Sequence, residues 1–248
     1  EIEEETLTAI KNNIHRIMDT DVVPRETIGS ELAKALARNP AGAARWLTET
    51  SAMHTLFGNT TSDISMLPQG NPTLATALLL RANERAHISH LLSQSGLDTL
   101  PRGTTLRIEP ENVLWLIDRL SESWSEQAVQ NLRASLFEKY FMNGRGAMFL
   151  LALELTGEAA AADAAKDRAR SIIERWSVDE GEPIPPLLSG NDVLSAGLPP
   201  GPKIRETLDA LRDQQLDGKI LTREQAIRWL KDAGESLLTT KQESSGLK

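Results

Sequence analysis

Cysteine is absent from this chain, which excludes disulfides and zinc sites built on thiolates. Aromatic residues make up only 4% of it and β-branched patterning is sparse, so a sheet-based core lacks its usual material. No run of about eighteen apolar residues occurs, so no membrane span is expected. No basic segment followed by an apolar one opens the sequence. No secretory signal is therefore visible, and a cytoplasmic setting is expected. Positive charge is in short supply as well. Lys and Arg number 27 against 35 Asp and Glu, a formal charge of −8. That excludes a broad, uniformly basic surface. A local basic strip stays open, because phosphates are held by clustered cations rather than by a positive total.

What is abundant is alanine and leucine. With 248 residues the chain can bury a large core, in one extended domain or two small ones. The composition predicts an all-α fold. The first residue is Glu1, already in helical pattern and not an initiator Met, and we expect a longer parent.

Residues 1–19 read as a helix. Acidic residues crowd its first turn, where the helix dipole favours them. Ile2, Thr6, Ile10, Ile14 and Ile17 lie roughly on one face. Pro24 to Arg38 reads as a second helix, closed before Pro40. Asn39-Pro40 opens a third, through Trp46 and Leu47, with Met53 to Phe57 as its packed end. Gly58 to Asn71 is a loop by composition. Asn71-Pro72 then starts a long helix carrying Leu74, Leu78, Leu79, Ala82, Ala86 and Leu91. Ser95 to Pro110 is a further loop. Glu111 to Leu120 and Ser125 to Met142 each read as one amphipathic helix. Gly144-Arg145-Gly146 breaks the chain before a mostly apolar helix, Ala147 to Leu155. An Ala-rich helix, Glu158 to Trp176, leads to a Pro-rich linker over Glu182 to Pro186. Residues 233–248 lack apolar periodicity after Leu238 and read as a frayed or disordered end.

The clearest punctuation lies between Leu187 and Lys231. Ser189 or Asn191 can cap a short helix that Gly197 ends. Pro199, Pro200, Gly201 and Pro202 form a rigid connector, and Pro202 suits the first turn of a helix, where its missing N–H costs nothing. Ile204, Leu208 and Leu211 give that helix an apolar stripe, and Gly218 stops it. Thr222 and Gln225 form a capping box for a last helix, with Ala226, Ile227 and Leu230 on its buried face. The outcome is a compact set of short helices with one helix N-terminus at Gly201-Pro202-Lys203.

These same residues carry a family likeness. Leu-Ser-Gly-Asn-Asp-Val-Leu, then Gly-Leu, Pro-Gly-Pro-Lys-Ile and Leu-Asp-Gly-Lys-Ile-Leu-Thr-Arg-Glu-Gln-Ala resemble the tail of bacterial-type tRNA nucleotidyltransferases and poly(A) polymerases, over most of residues 178–232. Arg25 to Leu32 resembles the family's neck motif at Glu26, Ile28, Glu31 and Leu32, with Thr27 where arginine is usual. The resemblance implies an elongated all-α neck and body with a small helical tail. Its divisions are neck helices over 1–58, body over 59–176, tail over 177–232 and a frayed end over 233–248. It implies a grip on the acceptor arm and elbow of tRNA, or on another RNA 3′ region, for addition of CCA, part of CCA, or poly(A). It also implies a separate catalytic head that uses magnesium and ATP or CTP.

The chemistry of such a head is not written in this chain. The lone Asp-x-Asp, Asp19-Thr20-Asp21, follows no Gly-rich loop and lies on no predicted strand, so it reads as a helix end and turn. Neither Arg-Arg-Asp nor Glu-Asp-x-x-Arg occurs. No catalytic residue, cofactor or metal ligand is expected here. His87 and His90 can share a helix face, but no His-Asp pair accompanies them, and they read as surface histidines before ligands, as do His15 and His54. A metal-dependent hydrolase is the remotest reading.

Candidate RNA contacts are Gly201, Lys203 and Arg205, where a helix N-terminus and two first-turn cations can hold a phosphate. Lys34 and Arg38, at i and i+4, and Lys139 and Arg145, flanking a break, are further candidates, with solvated charge as the plainer account. Trp115, Trp124, Trp176 and Trp229 can stack on bases, although core packing is their default. The competing reading is an all-α interaction scaffold that docks protein and assembles with further copies of itself.

Overall fold

A computed structural model describes residues 3–19, 21–60, 64–98, 108–179 and 182–232. Among these every element is helical and no strand is present, as the composition predicts. The frayed end expected over 233–248 lies outside the described residues, as do Ile2 and Thr20. The elements are α1 (Glu4–Asn13), a 3-10 turn (Ile14–Met18), α2 (Arg25–Arg38), α3 (Pro40–Glu49), α4 (Ala52–Phe57), α5 (Pro72–Leu80) and α6 (Arg85–Gln94). They continue with α7 (Pro110–Leu120), α8 (Glu126–Asn131), α9 (Ala134–Phe141), α10 (Gly146–Leu155), α11 (Ala159–Trp176), α12 (Gly190–Ser195) and α13 (Pro202–Leu216). A last helix, α14, covers residues 223–232. No described helix is long and apolar enough to cross a membrane.

Contacts group the chain into two compact units, Glu1–Ser123 with Leu151–Glu158, and Trp124–Leu150 with Ala159–Lys248. Residues 1–58 therefore share a unit with the first half of the 59–176 segment, and residues 177–232 share one with most of its second half.

The first unit is built on α5. Every residue of that helix is buried, and α2 and α7 pack against it. Its polar groups are answered locally. Asn71 caps it by accepting from Leu74 N–H at 3.0 Å, and the buried Thr76 hydroxyl donates to Pro72 O at 2.7 Å. The long helix expected from Pro72 to Leu91 is broken, and Asn83 is the physical reason. Its side-chain amide donates to Phe57 O at 3.0 Å and Asn59 O at 2.6 Å, and accepts from Asn59 N–H at 2.9 Å. A leucine-rich period continues across Arg81–Glu84, but the tertiary bonds of one asparagine end α5 there. The third helix is likewise divided, because Ser51 takes a left-handed conformation (φ +65°) before α4. The apolar face expected on the first helix is only partly covered: Ile10, Ile14 and Ile17 are half-buried and α1 has no fully buried residue.

Two glycines set how closely this unit closes. A Cβ on Gly29, within α2, would stand 2.1 Å from Gly96 O, and one on Gly96 would stand 1.9 Å from Arg25 O. Gly96 also has φ +69°. The turn after α6 therefore lies against the first turns of α2, backbone to backbone, with Ile28 and Leu32 buried beside it.

In the second unit, Trp124 meets Phe141 and Phe149 edge-on at 5.6 and 5.3 Å. Alanines 161, 162 and 165 of α11 are fully buried, and α8 packs against that helix. The single helix expected over Ser125 to Met142 is two. Leu132 and Arg133 are extended (ψ 134° and 140°) between α8 and α9. Side chains from other helices hold this break. Asp213 of α13 accepts from Ser135 N–H at 2.7 Å and so caps α9. Arg168 of α11 donates to Val129 O at 2.6 Å and closes α8. Arg212 donates to Glu138 Oε2 and to Ile184 O, both at 2.8 Å, and Gln215 donates to Pro185 O at 2.8 Å, which fastens the Pro-rich linker to α13.

We predict that Gly29→Ala destabilises the protein by about 2 kcal/mol or more, since backbone cannot yield as a side chain does. A urea melt compared with the exposed helix substitution Thr27→Ala, expected within about 0.5 kcal/mol of the parent, checks this.

Candidate nucleic-acid interface

The tail folds as its punctuation predicts. Ser189 and Asp192 form a capping box, and Gly197 (φ +96°) and Gly218 (φ +76°) follow α12 and α13. Gln225 N–H donates to Thr222 Oγ1 at 3.3 Å while the Gln225 side chain accepts from Leu221 and Thr222 N–H at 2.7 and 3.2 Å. Leu188, Val193, Leu211, Ile220, Ala226 and Leu230 make its core. Ile227, expected on the buried face of α14, is instead 38% exposed, and Trp229 packs against the core.

From this core α13 projects its first turn. Gly201 has φ +146° with nothing within 4 Å of where a Cβ would stand. Pro202 occupies the start of the helix, and no side chain caps it. Lys203 and Arg205 are exposed. Glu206 and Asp209 lie one turn on, yet among the described residues neither forms an ion pair with these cations. Pro202 has no N–H and the Ile204 N–H donates to Gly201 O at 3.1 Å, so the Lys203 N–H, the positive end of the helix dipole and two cations share one exposed turn.

Lys139 and Arg145, in the same unit, take other places. Lys139 leads in sequence from Glu138, which is bound to Arg212, and Arg212 is nine residues beyond Lys203, about 14 Å along the helix axis. Lys139 instead borders a shallow cleft of about 290 Å³ shared with Asn143, Glu138 and Glu182, and the two glutamate carboxylates oppose an anion. Arg145 is half-buried, and its N–H donates to Asn143 Oδ1 at 2.8 Å. Lys34 and Arg38 belong to the first unit. Lys34 is paired with Glu31 at 2.7 Å, an exposed pair, and Arg38 is exposed at the end of α2.

The remaining sequence signals take ordinary places. Asp21 N–H donates to Asp19 Oδ1 at 3.1 Å, a local turn. The His87 and His90 rings lie 5.4 Å apart on an exposed face, and no group of three or more candidate ligands occurs among the described residues. Trp124 is core, while Trp115, Trp176 and Trp229 are half-buried. The tryptophan most open to solvent among these is Trp46, 42% exposed, which sequence reasoning passed over.

No protein-family model, curated protein or solved structure matches this chain. Sequence reasoning also missed a cleft in the first unit that holds Arg81 and Arg85. The signal was the Ala-Asn-Glu interruption after the leucine run, which moves the two arginines off a continuous helix.

Electrostatics fasten the tail that carries the exposed turn. The Asp192 carboxylate accepts from the Ser189 hydroxyl and N–H, both at 2.7 Å, and pairs with Arg223 at the start of α14. The Ser189 bonds chiefly, then Arg223, lower its pKa from 3.8 to about 2. A depressed carboxylate stabilises the fold above its unfolded value and loses that contribution as the pH falls through its folded value. The tail should therefore weaken between pH 3.8 and about 2. Asp192→Asn should flatten that part of the stability–pH curve, measured by amide exchange in α12 and α14.

Proposed function

We propose that this chain is the RNA-gripping helical part of a tRNA nucleotidyltransferase or poly(A) polymerase relative. It holds the acceptor arm of a tRNA, or another RNA 3′ region, by contacts to the sugar–phosphate backbone. Nucleotide transfer belongs to a catalytic head that uses magnesium and ATP or CTP, and the setting is cytoplasmic. One observation carries the reading. In a chain of net charge −8, an exposed helix start presents Lys203 and Arg205 without acidic partners, on a compact tail. Two cations against the dipole disfavour the empty turn slightly, and a docked phosphate reverses that penalty. The Gly, Pro and capping residues that carry the family resemblance are the same ones that build this turn and its support.

A second reading, a protein-interaction scaffold, draws on Leu194, Leu221 and Ile227, which are 41%, 47% and 38% exposed on the tail. The two readings part in one titration. Labelled tRNA should bind at low salt and weaken steeply as salt rises. Lys203→Glu with Arg205→Glu should reduce affinity by about tenfold or more and lower the salt slope by about 1 to 2. Undetectable binding at low salt removes the reading, and unchanged affinity in the double variant removes the tail turn from it. Concentration-dependent association without tRNA binding, measured by sedimentation, favours the scaffold.

A further inference from the structure

The first unit holds a cleft of about 490 Å³ between the α5–α6 break and the end of α7. That volume suits a small organic ligand. Its polar groups do not balance. The carbonyls that end the two helices are taken: Ala77 O by Arg81 N–H, Leu80 O by Asn83 N–H, Ile117 O by Ser121 N–H and Arg119 O by Glu122 N–H. Asp118 O accepts from the Ser121 hydroxyl at 2.7 Å, and the Asn83 amide is used at both ends. The Asp118 carboxylate is held by the Nε and Nη2 edge of Arg85. Two arginine side chains lie along the same cleft. Arg81 is exposed and makes no side-chain bond among the described residues, and Arg85 keeps its Nη1 edge. Asp118 offsets the charge of Arg85 and holds it by two bonds, so the two arginines and one carboxylate that line the cleft leave one net positive charge there. Ile117, Leu120 and Ala82 supply an apolar wall beside them.

The geometry points to a binding site for a phosphate monoester carried on a flat apolar body, as in a nucleoside monophosphate, free or as the 5′-phosphorylated end of an RNA strand. A carboxylate is satisfied by one guanidinium fork, as Asp118 is by Arg85. Two separate donor edges suit an anion with three oxygens, and the apolar wall suits the face of a base. The site shares no residue with the tail turn and stands whether or not that turn holds RNA.

The test is a calorimetric titration of the full chain with AMP at low salt, beside adenosine, inorganic phosphate and a 5′-phosphorylated oligo(A) strand. AMP should saturate one site, with adenosine and phosphate each about tenfold weaker or more. Arg81→Ala and the similarly sized Arg81→Gln should each lose about tenfold or more, because each removes charged hydrogen bonds from an exposed residue without a packing role. Circular dichroism should show both variants folded. Lys203→Glu with Arg205→Glu should leave AMP affinity unchanged, which keeps this site distinguishable from the tail. Weak AMP binding with Arg81-dependent oligo(A) binding identifies the strand as the source and supports the site. No binding of either ligand, equal affinity for AMP and bare phosphate, or unchanged affinity in both Arg81 variants overturns it.

Discussion

One carboxylate organises the second unit. Asp213 of α13 reaches back 78 residues in sequence to accept from Ser135 N–H, and that bond starts α9. Burial works against its charge, but the backbone and hydroxyl of Ser135 and then Arg133 outweigh that penalty and hold its pKa below the usual carboxylate range. From the opposite side, Arg168 closes α8 and lies 4.4 Å over the Phe137 ring. Burial of that guanidinium lowers its pKa, and the nearby Asp217 and Asp213 oppose the shift. The two extended residues between α8 and α9 are therefore held by ions from α13 and α11. The same helix α13, through Arg212 and Gln215, fastens the linker, and its opposite end is the exposed turn with Lys203 and Arg205.

The arginines of the second unit divide by their place in the fold. Arg133, Arg168, Arg175, Arg212 and Arg223 bond to carbonyls or carboxylates of neighbouring elements and act as struts. Lys203, Arg205 and, in the first unit, Arg81 make no such bond among the described residues. Position in the fold, rather than total charge, separates a structural arginine from one open to an anion.

Local signals were legible in the sequence and distant ones were not. Ser189, Gly197, Pro202, Gly218 and the Thr222–Gln225 box act within four residues of themselves, so pattern and spacing reveal them. The all-α class was legible for a similar reason, because composition and helical period are both local. Asn83 and Asp213 end or start helices through bonds to residues 24 and 78 positions away, and no window of sequence holds both partners. The readings 72–91 and 125–142 therefore ran through breaks that tertiary bonds impose. Ile227 is more exposed than its expected place on the buried face, while Trp229 packs against the tail core. Of the candidate site, the Gly201 turn was legible from Pro and Gly alone. The Arg81–Arg85 cleft was not, since it exists only once Asn83 has parted α5 from α6.

The central claim is that side chains from other helices, and not local propensity, set the break between α8 and α9. Amide exchange and a urea melt of Asp213→Ala test it most directly. The account predicts loss of about 1–2 kcal/mol, as for a removed helix cap, with much faster exchange at Ser135 and the next turn of α9. Arg133→Ala should cost less than Asp213→Ala, because its half of the ion pair is exposed. Unchanged stability and unchanged Ser135 protection in Asp213→Ala would contradict the account.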